Sequence, residues 1–289
     1  FNIYVQYITY LLTASLRERC SISINYRLDS NLFDLQKLKA RTKVCTALLR
    51  ELQYGADCAM VAHSSQDLQD SLNIMTSLYD KLGLKVNVTK TEVMCYNAGE
   101  PQTSPITLGE AQLKEVNSFK YLGSYLSSDC RMDDEVMFRI GQANSAFGRL
   151  RGVFTNYDLK TVTKVMVYKA VVLPSLLYGS ESWTLYRGQI RILERFHIKS
   201  LQRLLGISWK DKIPHSEILK RTDCTSIEYL LDRAQLRWVG HVVRMPQSRI
   251  PKQLLYGELT EGKRSAGGQL LRFKDTLKRS MKACYASEY

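Results

Sequence analysis

No apolar run in this chain approaches the ~20 residues that a membrane-spanning helix requires, and the run over residues 3–12 is short and interrupted by Gln6. No basic region precedes that run, so it does not read as a signal peptide; a buried helix is expected there. Seven cysteines occur without a Cys-x-x-Cys pair, which argues against both a structural zinc site and a disulfide framework. Their odd number suits a reducing compartment. The four histidines, His63, His197, His215 and His241, are far apart and form no set with metal-ligand spacing. No internal repeat stands out. These absences point to an intracellular protein, nuclear or cytoplasmic, neither secreted nor held in a membrane.

What the chain has in excess is positive charge. Its 289 residues carry 41 Lys and Arg against 28 Asp and Glu, a formal net charge of +13. Residues 187–289 hold 21 basic and 10 acidic side chains, or +11; residues 1–186 hold the other 20 and 18, or +2. Such a field suits phosphate backbones, because each phosphate neutralised releases condensed counterions. The bland alternative is a solvated surface that keeps the protein in solution. Apolar residues make up 45% of the chain, an ordinary share for a globular protein and too much for wholesale disorder.

Periodicity gives a sheet region followed by helices, an α+β order. Residues 1–19 have a helical repeat. Strands are expected at 23–27 and 32–35 around a turn at 29–31, then a basic polar loop at 37–43. Residues 48–54 and 58–63 read as a hairpin. Ser64 or Ser65 then caps a helix with Asp67 in its first turn and Leu68, Leu72, Met75 and Tyr79 on one face. Short strands are expected at 86–88, 93–96, 106–108, 112–116 and 119–126, and the sheet region ends near Ser128. From Met132 the period becomes helical, with Val136, Ile140, Ala143, Phe147 and Leu150 on one face and Arg139 mostly elsewhere. Further helices are expected at 160–173, 189–205, 214–220, 226–243 and 270–284. In the 189–205 helix Ile192, Phe196 and Leu204 form the apolar side. A flexible basic linker occupies 261–268. Trp183, Trp209, Trp238 and His241 have apolar neighbours and are expected to pack inside.

The most informative stretch is residues 52–64, LQYGADCAMVAHS. Strand, tight turn with a carboxylate, strand is how a polymerase palm presents acids to catalytic ions. In register with its flanks, Leu52-Gln53-Tyr54 before and Cys58-Ala59-Met60-Val61-Ala62-His63-Ser64 after, the stretch resembles the Tyr-Ala-Asp-Asp box of non-LTR (LINE-type) retrotransposon reverse transcriptases. Tyr54 matches the family tyrosine and Gly55 stands for the alanine. Ala56 stands for the first aspartate, and Asp57 matches the second. Other segments follow in family order. Phe1-Asn2 resembles the end of the segment after the Gly-rich template box. Residues 83–94, GLKVNVTKTEVM, resemble the next palm motif, and 119–124, FKYLGS, the primer-grip hairpin. Residues 177–183, LYGSESW, and 236–245, LRWVGHVVRM, are similar to segments that recur after the palm.

The resemblance implies a partial polymerase palm sheet with backing helices over 1–128, a helical thumb-like region over 129–206 and a basic helical region over 207–289. It also implies that the chain is a C-terminal fragment, since it opens on Phe1 in mid-motif while the family's fingers and first palm acid lie upstream. RNA template, DNA primer and Mg2+ are the implied partners and cofactor. Mg2+ is a hard cation that takes oxygen ligands, and nucleotide addition needs clustered acids holding two ions ~4 Å apart. A methyl group at Ala56 ligates nothing, so Asp57 is expected to be a vestigial ligand in an incomplete site. In isolation it would be an ordinary turn residue. Asp29, Asp34 and Asp67 are the possible substitutes. Lys90 matches a lysine near the incoming nucleotide, or is an exposed turn lysine. Tyr121, Leu122 and Gly123 match the primer-supporting turn, or form a bulged sheet edge. Cys58 is expected to be a small buried hydrophobe. For nucleic acid, the candidates are Arg187, Arg191, Arg195 and Lys199, spaced by four on one helix, and a second cluster of Lys263, Arg264, Arg272 and Lys278. The expected function is that of a degenerate RNA-directed DNA polymerase without activity of its own; the alternative is a non-catalytic nucleic-acid-binding module.

Overall fold

The computed structural model describes residues 7–12, 21–29, 38, 42–96, 105–261 and 270–286. It is α+β, with small sheets and many helices. Two compact units divide it: Phe1–Leu122 with Arg244–Gly268, and Gly123–Val243 with Gln269–Tyr289.

In the first unit, residues 7–12 are helical and bury Ile8 and Leu12. Strand β1 (Ile22–Tyr26) pairs antiparallel with β2 (Cys45–Leu49), Ile24 opposite Ala47. The expected strand at 32–35 lies outside the described residues. Arg50 separates β2 from β3 (Glu51–Tyr54), so the single strand expected over 48–54 is two. β3 pairs with β4 (Asp57–Met60) in a separate hairpin, Tyr54 opposite Asp57. Its two-residue loop is Gly55-Ala56. Gly55 sits at φ +59, the left-handed first position that suits right-handed strand twist.

Helix α1 (Ser65–Lys81) follows, with the Ser64 hydroxyl accepting the Asp67 N–H at 3.1 Å. Leu72 and Met75 pack with Ile8, Leu12, Val93, Ile106 and Leu113 into one core, and Cys58, Met60, Leu68 and Tyr79 lie against it. Residues 88–90 form a one-turn 3-10 helix instead of the expected strand. β5 (Glu92–Val93) runs parallel to β8 (Lys114–Glu115), and β6 (Thr107–Leu108) pairs with β7 (Ala111–Gln112). β9 (Ser118–Tyr121) is the last strand before the turn at Leu122 and Gly123. That turn interrupts the strand expected over 119–126.

The second unit begins with β10 (Ser124–Ser127) and α2 (Asp133–Arg149), whose first turn carries Asp133, Asp134 and Glu135 where the helix dipole favours acids. Arg139, expected mostly off the apolar face, is only 6% exposed, and Glu135 only 1%. Their ion pair is 2.7 Å long. Glu135 also accepts the Tyr125 N–H at 2.6 Å, while Arg139 donates to the Gly123 carbonyl and lies over the Tyr178 ring. After α3 (Arg151–Thr155), the helix expected over 160–173 is present as α4 (Thr161–Val167), a π-helical turn (Tyr168–Val172) and α5 (Leu173–Leu176). Pro174 lies just after the π-helical turn, inside a stretch that is helical without a break from Thr161 to Leu176.

Helices α6 (Arg187–Leu205), α7 (His215–Arg221) and α8 (Ile227–Arg244) complete the bundle. Tyr168, Val172, Leu176, Leu193, Leu201, Ile218 and Ile227 form its centre. The chain then returns to the first unit as α9 (Ile250–Tyr256) and β11 (Gly257–Leu259). β11 pairs with the free side of β1, Ile24 opposite Leu259, a pairing that the sequence does not announce. Finally α10 (Phe273–Ala286) returns to the second unit and buries Leu277 and Ser280 there. No described helix is long and apolar enough to cross a membrane.

Candidate functional site

Strand alternation sorts the β3–β4 hairpin into two faces. Gln53 pairs with Cys58 and Glu51 with Met60, and these side chains are half-buried. Leu52, Tyr54 and Asp57 are exposed. The inner face is a connected polar layer. Gln53 receives a hydrogen bond from Thr9 at 3.1 Å and donates to the Tyr79 hydroxyl at 3.3 Å. Burial raises the Glu51 carboxyl above its ordinary value. Burial, then the Glu51 charge, pushes the Cys58 thiol up to about 12. A thiol held that far from ionisation is inert as a nucleophile.

Asp57 opens β4 instead of standing at the tip of the turn. Tyr121 lies close to it. Its phenol is raised first by burial, then by the Cys58 and Asp57 charges, and its hydroxyl donates to the Leu52 carbonyl at 2.8 Å. The structure therefore ties Tyr121 to the hairpin that carries Asp57. Leu122, at φ 49, and Gly123, at φ 85, are both left-handed. That geometry is ordinary for glycine and costs leucine about 1–2 kcal/mol.

The donor set at this turn does not fit a two-ion site. No group of three or more His, Cys, Asp or Glu side chains able to hold a metal occurs among the described residues. Asp29 is engaged by Arg27 at 2.5 Å and Lys43 at 3.6 Å, and Asp67 serves the α1 cap. Asp34 lies outside the described residues. Lys90 ends the 3-10 turn, exposed, its N–H bonded to the Asn87 side chain at 3.2 Å.

The basic candidates fall on α6. Arg187, Arg191, Arg195 and Lys199 are all exposed. Arg187 is already neutralised by Glu228, with oxygens at 2.9 and 3.2 Å. The buried face is Ile190, Leu193, His197, Ile198, Leu201 and Leu204, so Ile192, at 38% exposure, is not part of it. Lys278 on α10 is exposed, and Arg272, just before that helix, is half-buried; Lys263 and Arg264 lie outside the described residues.

Sequence reasoning missed the outer face of α8. Trp183 is buried as expected, but Trp238 and His241 are exposed, beside Arg233 and Arg237. Four-residue spacing of Arg233, Arg237 and His241 was the available signal.

No family model matches the chain. An uncharacterized transposon-derived protein of Caenorhabditis elegans is 24% identical to it over 243 residues, which span 81% of this chain and 85% of that protein.

Proposed function

We propose that this chain derives from the reverse transcriptase of a non-LTR retrotransposon and has lost nucleotide addition while keeping a nucleic-acid-binding surface. The observation that carries the reading is the β3–β4 hairpin: Asp57 is exposed on the outgoing strand beside Ala56, within the ordered series of family-like segments. The transposon-derived relative supports a mobile-element origin. RNA and DNA are the proposed partners, met through phosphates by Arg191, Arg195 and Lys199. Phosphate contacts position a protein without reading sequence. One carboxylate cannot clamp the two ions that activate the primer oxygen and steady the pyrophosphate, so this turn does not support nucleotide addition by itself.

Primer extension on an RNA template with Mg2+ or Mn2+, run beside binding of the same primer–template, tests both halves. Binding without extension is the expected result. Sustained extension overturns the loss of chemistry, and absence of binding overturns the retained surface.

A further inference from the structure

Helix α8 carries an exposed face whose composition differs from that of α6. Tyr229, Arg233, Arg237 and His241 recur every four residues and are all exposed, Tyr229 at 53%. Trp238 stands beside them at 36% exposure, its ring centroid 5.6 Å from that of His241. The opposite face anchors the helix through Ile227, Leu231, Gln235, Val239 and Val242. Arg233 and Arg237 are a like-charge pair one helical turn apart. Neither forms an ion pair with a carboxylate among the described residues. Such a pair mildly destabilises a helix by itself, and an anion lying over it removes the repulsion.

We propose that this face of α8 is a platform for single-stranded nucleic acid, with Arg233 and Arg237 on phosphates and Trp238 stacked on an unpaired base. Positive charge follows a backbone of either form, but an exposed indole needs a free base face, which a duplex hides. The platform therefore prefers single strands. It rests on the nucleic-acid reading above but uses none of the residues invoked there, so the platform can fail while the α6 surface stands.

The test measures binding of the full chain to an oligothymidylate and to a mixed-sequence duplex of the same length by fluorescence anisotropy. Trp238→Ala weakens single-strand binding about tenfold and leaves duplex binding unchanged, whereas Arg233→Gln with Arg237→Gln weakens both. Oligothymidylate quenches the tryptophan emission of the wild type, and Trp238→Phe, which keeps a stacking ring, binds without that quenching. If the wild type binds but Trp238→Ala binds the single strand equally tightly, or quenching persists in Trp238→Phe, the platform is overturned and the α6 surface stands. If the wild type binds neither form, both readings fall.

Discussion

Arg139 shows how far the surroundings of one side chain can depart from its spacing. Its spacing sets it mostly off the apolar face of α2, one turn after Glu135. The structure buries both and closes the pair with the Tyr125 N–H and the Gly123 carbonyl. Periodicity does not register this, because a charged residue counts as polar whether or not its partners are supplied by a turn elsewhere in the chain. Removing one partner leaves a buried charge, at a cost of about 3–5 kcal/mol. Glu135→Ala is therefore expected to lose that much in urea denaturation. The paired change Glu135→Leu with Arg139→Met recovers most of the loss, since a packed apolar pair needs no compensation. A loss in the single variant no larger than that of an exposed salt bridge rules this account out.

His197 makes a second case at the same scale. It is fully buried, with the Tyr168 hydroxyl 2.8 Å from its Nδ1. Burial holds its imidazole down at about 4, against the opposing effect of the nearby Thr225 backbone. Nε2 does not complete a hydrogen bond there. Well above pH 6.5 neither the folded nor the unfolded chain protonates this group. As pH falls from about 6.5 towards 4 the unfolded chain takes up the proton first, so stability drops, by roughly 3 kcal/mol in full. His197→Gln never ionises. The difference in urea midpoint between wild type and this variant should move against the wild type over that window; a constant difference contradicts the assignment.

At the scale of elements, what the sequence makes legible is local. The α1 cap and its apolar face, the two-residue turn of β3–β4 and the start of α2 all depend on neighbours within a few positions, and they are present as expected. On α6, Leu204 is buried and Phe196 packs against the core as expected, whereas Ile192 is hydrophobic yet lies outside the 190, 193, 197, 201, 204 series that meets the core. β11 was not legible, because a three-residue strand has too few positions to show alternation. Its partner is also far away: Ser23 and Thr260 bond across a separation of 237 residues.

That pairing depends on Gly257. A Cβ there would stand 2.7 Å from the Gln253 carbonyl oxygen and 2.7 Å from the Ile24 side chain. One contact is backbone and the other belongs to a buried β-branched residue, so neither yields easily. Gly257→Ala is expected to destabilise the first unit by about 1–3 kcal/mol, the usual cost of overpacking. Hydrogen exchange should show the loss first in the amides of β1 and β11. Unchanged protection of those amides would mean that the backbone relaxes around the extra methyl.

For the whole molecule, the concentration of charge after residue 187 was legible from composition, but its division was not. Residues 244–268 return to the first unit, so the basic third of the chain is shared between two compact bodies. Net charge by itself cannot distinguish a solvated surface from a phosphate-binding one, whereas salt dependence can. Each phosphate contact to a single strand adds about −0.7 to the slope of log affinity against log salt. Arg191, Arg195 and Lys199 are exposed, and no ion pair engages them among the described residues; Arg187 is held by Glu228. Replacing the first three with glutamine is therefore expected to flatten the slope by roughly 2, and Arg187→Gln to change it far less. Equal effects of all four would mean that overall charge, not this stripe, draws the nucleic acid. No change in slope would show that α6 faces only water.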